Sequence, residues 1–270
     1  MTEVLHPGAV ALYALAAALL GVSFARTDDR RLPGVATATL ALAVVAHGAA
    51  LAAYVRQFGE PPLVGLAPSL SVLGFLIALG SLGVATLGRT GPLGLVLVPV
   101  AAAVAAVAQA SGVHPAGEPL EFRGPWFVLH VVLAMLGYAA LAVAFAAGLM
   151  YLLQFRELKG KRFGAIFRFF PPLDTLDRIG RVALMAGLPL LSAALLLGWA
   201  WTERFHHPMS AGNPKIVWGV ISWLAIAGGL AVRAGGARRG AMASVLGFAI
   251  VVISYLVLRV ASGGYAGGFL

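Results

Sequence analysis

Eight uncharged, strongly apolar stretches dominate the chain, at residues 4–25, 32–55, 61–88, 90–117, 124–155, 182–202, 216–232 and 240–258. Each supplies the roughly 17–25 residues that a helix needs to cross a hydrocarbon core about 30 Å thick. Inside lipid a backbone has no water to bond, so runs of this kind become helices. The sequence therefore predicts an all-α integral membrane protein, one transmembrane domain over 1–270 built from eight transmembrane helices. The stretch 216–232 is the shortest. The stretch 124–155 is the longest and is expected to reach beyond the bilayer at one end. Composition agrees, with 60% hydrophobic and 11% charged residues, whereas a soluble domain carries about 25% charged residues.

Lys and Arg between the stretches set the orientation. Fourteen of them follow the first, third, fifth and seventh stretches: Arg26, Arg30 and Arg31; Arg89; Arg156, Lys159, Lys161, Arg162, Arg168, Arg178 and Arg181; Arg233, Arg238 and Arg239. Only Arg56, Arg123, Arg204 and Lys215 occupy the alternate loops. The basic loops are expected on the cytoplasmic side of the cell inner membrane, which puts both termini on the outer side. Glu3 is the only charged residue before Arg26, so the N-terminus lacks the basic region of a cleavable signal peptide. The net charge of +9 is spread over short loops, not clustered on one soluble face. That distribution argues against a nucleic-acid partner and for a lipid bilayer.

The longest basic loop spans 156–178. Phe163, Ile166, Phe167 and Phe170 recur there at helical spacing among Lys and Arg, the pattern of a short helix lying on a membrane surface. Pro171 and Pro172 end it, and Leu173-Asp174-Thr175-Leu176-Asp177 restarts a helix with Asp174 as expected N-cap.

No phosphate-binding glycine loop, nucleophile elbow or zinc-spaced cluster is present. No carboxylate falls inside a stretch, which argues against a proton-coupled pump built on buried Asp or Glu. The absence of cysteine removes thiolate metal sites and haem attachment to the chain's own thiols. Histidine remains. His6, His47, His114, His130, His206 and His207 all fall in the outer half of the expected topology. His6 and His114 precede prolines and are read as solvated loop residues. The adjacent His206 and His207 lack a third ligand. His47 and His130 lie within spans, where an ionisable group is costly and marks a functional site, with an interhelical packing bond as the competing role. Trp126, Trp199, Trp201 and Trp218 gather near the outer face, with Trp223 deeper. They suit an interfacial aromatic belt, or a platform for a flat ligand such as a porphyrin.

Three stretches give the chain a family likeness. Leu129-His130-Val131 followed by Leu136-Gly137-Tyr138 forms a histidine-led helix. Pro172-Leu173-Asp174-Thr175-Leu176-Asp177-Arg178 precedes the next span. Asn213-Pro214-Lys215 with Trp218 and Trp223 leads to Arg238-Arg239-Gly240, Gly247-Phe248 and Tyr255. Over 126–270 the chain resembles the CcsA-type cytochrome c assembly family, including its HemX/YpjD-like branch. His47 is placed like a histidine of that branch's second span. The resemblance implies haem handling on the outer face, where two histidines flank a tryptophan-rich loop. His130 matches the first histidine, Trp218 and Trp223 match tryptophans just after the motif, and Asn213 stands where an Asp is expected. No tryptophan occurs over 203–212, no histidine lies near Gly264-Tyr265, and none lies near Ala231. These departures point to the HemX/YpjD-like branch.

The resemblance implies a haem-handling protein, not a stand-alone enzyme, that serves cytochrome c assembly or haem homeostasis. Its partners would be haem, cytochrome c synthesis subunits and apocytochrome c. His130 and His47 would be the metal ligands, with His47 the second ligand or a relay. Trp218, Trp223 and Trp126 would adjoin the porphyrin. Two rival readings stand beside it. One is a cofactor-free regulatory scaffold acting through loop 156–178. The other is a quinone-reactive subunit using His47 and His130 as proton acceptors.

Overall fold

The computed structural model describes residues 2–26, 29, 31–87, 90–115, 124–161, 164–204 and 214–261. Among these residues the chain is helical, without strands: α1 (Thr2–Ala25), α2 (Leu32–Phe58), α3 (Leu66–Leu87), a 3-10 turn (Gly91–Leu93), α4 (Gly94–Ser111), α5 (Pro125–Lys159), α6 (Ala165–Phe169), α7 (Leu173–Arg204), α8 (Pro214–Arg233) and α9 (Ala237–Ala261). Eight of these helices are long and apolar enough to cross a membrane. They coincide with the eight uncharged stretches, so the expected all-α, eight-span architecture is the observed one.

The 35 residues of α5 span about 52 Å at 1.5 Å per residue, well beyond a hydrocarbon core. Gly124 is extended and Pro125 opens the helix, which places proline where its missing N–H costs nothing. Helix α7 begins well before residue 182, so Asp174 lies within its first turn and not at the N-cap. Its charge there still faces the positive end of the helix dipole. Pro7, Pro99 and Pro189 lie inside helices, which neighbouring helices tolerate in membrane bundles.

Helix α1 packs on α2 and α4, and α3 packs on α4. Helix α5 packs on α7 and α9, α8 packs on α9, and α3 against α5 joins the two halves. The buried seam of α1 is His6, Ala9, Tyr13, Ala16 and Leu20. That of α2 includes Ala36, Leu40, Ala43, His47, Ala50 and Tyr54. Both repeat at alternating steps of three and four, the spacing of one helix face. Lipid tails offer no hydrophobic gain for pairing helices, so small side chains and close approach hold the seams. At Gly148 a Cβ would come within 2.8 Å of the Ala241 carbonyl oxygen, so α5 and α9 approach this closely only over glycine.

Helix α6 departs from expectation. It is five residues long, and much of its apolar face turns to the protein. The Phe169 ring meets Phe24 of α1 edge-on at 5.4 Å, and Phe170 is buried. Phe167 is exposed, and its backbone N–H donates to the Glu157 carboxylate at 2.9 Å. The segment is thus a strut between α5 and α1 as well as a surface element. Phe163 lies outside the described residues.

Candidate functional site at the mouth of the α5–α7 pair

His130 lies in the second turn of α5, one turn after Trp126, so the two share a helix face. The Nδ1–H of His130 donates to the Ala194 carbonyl of α7 at 2.6 Å. A carbonyl only accepts, so Nδ1 carries the proton and Nε2 of the neutral ring carries the lone pair. No described residue bonds to that Nε2. The ring fits against α7 because residue 198 is glycine: a Cβ there would lie 2.8 Å from His130 Cε1. Trp126 and Trp199 flank the same end of the helix pair, 64% and 65% exposed. This end therefore combines an oriented imidazole, a ring nitrogen with no partner among the described residues and two indoles on the surface.

Trp218 and Trp223 are used differently. The Trp218 indole N–H donates to the Val251 carbonyl at 3.0 Å, and its ring packs on Tyr138 at 4.6 Å and Tyr255 at 5.3 Å. The Trp223 indole N–H donates to Ser192 Oγ at 2.8 Å. Their polar edges hold α8 to α9 and to α7. They pack around the second core of Leu141, Leu184, Leu191, Ile226 and Val251, below the helix mouth.

His47 belongs to another constellation. It is fully buried, with Nδ1 3.1 Å from Tyr13 Oη and Nε2 2.9 Å from Ser71 Oγ. Both ring nitrogens are occupied by partners on α1 and α3. The structure does not bring His47 and His130 together, because they share no partner and sit against different helices. The expectation of a bis-histidine ligand pair therefore gains no support from the geometry.

His6 corrects the sequence reading outright. It was expected as a solvated loop residue, but it lies in α1 and is 2% exposed. Its Nε2 is 2.9 Å from the same Ser71 Oγ, and its Nδ1–H donates to Gln109 Oε1 at 2.6 Å. Proline at position 7 suggested a loop, but it lies inside α1, where the neighbouring helices of a membrane bundle tolerate it. The available signal was the three-four spacing of His6, Ala9, Tyr13 and Ala16. His114 lines a cavity beside His6. His206, His207 and Asn213 lie outside the described residues. Among the described residues no group of three His, Asp or Glu side chains converges to hold a metal ion.

Fold and site together define a polytopic helical membrane protein with a histidine, His130, oriented at the mouth of a helix pair. Comparison with known proteins agrees with that class. The chain belongs to the cytochrome c assembly protein family, whose pattern, described as Cytochrome C assembly protein, matches residues 3–265. It is 26% identical to the cytochrome c biogenesis protein CcsA of Microcystis aeruginosa, over 86% of this chain and 87% of that protein. Against CcsA of Synechococcus elongatus it is 25% identical over 90% and 89%. Protein HemX of Brevibacillus brevis is 39% identical over 72 residues, 27% of this chain and 26% of its own. The family match takes in the first four spans as well as the region of the three motifs.

Proposed function

We propose that this cytochrome c biogenesis membrane protein binds or guides haem at the outer leaflet of the cell inner membrane. The role would be cytochrome c assembly or haem homeostasis, with apocytochrome c and cytochrome c synthesis subunits as partners. One observation supports the reading: His130 has its Nδ1–H fixed on Ala194 and its Nε2 lone pair without a partner among the described residues. Metal-ligating histidines characteristically donate their other nitrogen to a carbonyl or carboxylate, which fixes tautomer and ring angle.

Bound haem would supply a Lewis-acidic iron and a flat apolar macrocycle. His130 would hold it through Nε2. Trp126 offers an exposed indole one turn along the same face. Trp218 and Trp223 keep α8 in place beneath the site through their bonds to Val251 and Ser192. His47, bonded at both nitrogens, is left out of the ligand set.

The test is a visible spectrum of the purified protein after reconstitution with haem, for wild type and His130→Ala. Loss of an axial imidazole changes spin state and Soret position. The variant should shift or lose the Soret band, and added imidazole should partly restore it. A Soret band identical in wild type and His130→Ala would remove His130 from the site. Failure of the wild type to take up haem would remove the haem reading itself.

A further inference from the structure

Five polar side chains from four helices form one continuous hydrogen-bonded chain in the N-terminal half: Tyr13, His47, Ser71, His6 and Gln109. Tyr13, His47 and Ser71 are fully buried or within 1% of it. The chain opens at one end on a cavity of about 110 Å³, lined by His6, Gln57, Phe58, Gln109, Val113 and His114. The haem reading uses none of these residues.

The donor order follows from the chemistry of each group. Gln109 Oε1 only accepts, so His6 donates from Nδ1 and its Nε2 has a lone pair. Ser71 must then donate to His6 Nε2. The Ser71 oxygen accepts from His47 Nε2–H, which leaves His47 Nδ1 to accept from the Tyr13 hydroxyl. Every donor points the same way, from the buried phenol to the cavity. No charge is needed to satisfy the chain. A purely structural clasp requires only satisfied bonds. Here every internal member both donates and accepts, as proton conduction along a wire demands.

We infer that Tyr13–His47–Ser71–His6 is a proton path between the membrane-embedded interior and the cavity at the N-terminal end. When the His6 Nδ1 proton leaves to water in the cavity, the Ser71 proton moves to His6 Nε2. The His47 Nε2 proton moves to Ser71, and His47 Nδ1 takes the Tyr13 proton. The net change is one proton passed to cavity water and the Tyr13 phenol left as a phenolate. The reverse sequence returns a proton from solvent to Tyr13, so the path exchanges protons between the buried groups and the cavity. Histidine chains within spans are a recognised form of proton relay. The groups facing the two imidazoles are Tyr13 and His6 of α1, Ser71 and the Phe75 ring of α3, and Gln109 of α4. Buried Glu60 follows shortly after the cavity residue Phe58.

Deuterium exchange at the His47 ring tests the path, read by NMR on 15N-histidine-labelled full-length protein in detergent. Ser71→Ala removes the hydroxyl that links the imidazoles. It should slow exchange at His47 by about tenfold or more, because the remaining route is opening of the helices. Ser71→Thr keeps a hydroxyl and should stay near wild type. His6→Asn removes the cavity-side member and should slow exchange as Ser71→Ala does. A structural clasp predicts the opposite sign, since a weakened clasp opens more often. Equal or faster exchange in both Ser71→Ala and His6→Asn overturns the relay.

Discussion

Gly198 decides where the His130 imidazole can go. With a Cβ placed 2.8 Å from Cε1 and 3.2 Å from Nδ1, the ring or the α7 backbone would have to move, and the bond to Ala194 would be strained. Overpacking of this kind costs about 1–3 kcal/mol. Gly198→Ala should lower the thermal midpoint in detergent. Because the clash is with one ring, the cost should largely vanish when His130 is already alanine, the signature of direct coupling. A full cost in the double variant would place the strain elsewhere. His130 itself was legible in the sequence as an ionisable group inside an apolar run. Gly198 was not, because glycine occurs 34 times in the chain and nothing local marks which one faces a histidine. The His6–His47 pairing was hidden for a related reason. When both sides of a helix are apolar, hydropathy does not tell the protein-facing seam from the lipid-facing one.

At the basic end a single side chain fastens three helices. Arg233 of α8 donates from Nη1 to the Asp177 carboxylate at 2.7 Å and to the Asp177 carbonyl at 2.9 Å. Its Nη2 donates to Ser244 of α9 at 3.2 Å. The side chain is 6% exposed. Gly180 and Gly240 make room for it, since a Cβ at Gly240 would lie 2.7 Å from Arg233 Cγ. Sequence reading placed Arg233 among loop cations, where a positive-inside count treats every arginine alike. A buried pair is valued differently from a surface one: removing one partner leaves a charge without compensation. Asp177→Asn should therefore destabilise the α7–α8–α9 end by about 3–5 kcal/mol. Arg181 bonds the same carboxylate at 2.6 Å but is 56% exposed, so Arg181→Gln should cost at most about 1 kcal/mol. Thermal melts of the two variants in one detergent read the contrast directly. Similar midpoints for both would mean that Asp177 serves the surface pair, not the clasp.

Over the whole molecule, the eight spans were legible because length and apolarity are what a bilayer demands of any helix. Sidedness rests on a different signal. The alternation of helices puts Ser111, at the end of α4, and the α5–α7 mouth with His130 at one end of the bundle. Gly236, between α8 and α9, and the Arg233 clasp lie at the other. Fourteen Lys and Arg against four predict a cytoplasmic second end, and the haem reading requires the first end to face outward. The chain has no cysteine, so single cysteines report without background. In intact cells, cysteines at Ser111 and Ser210 should react with a membrane-impermeant thiol reagent. A cysteine at Gly236 should react only after permeabilisation. Labelling at Gly236 with protection at Ser111 and Ser210 would invert the protein. His130 would then face the cytoplasm, and outer-leaflet haem delivery would fail even if His130 still bound haem. Because the His6 cavity and the His130 mouth share one end, the same experiment fixes the compartment with which the proton path exchanges.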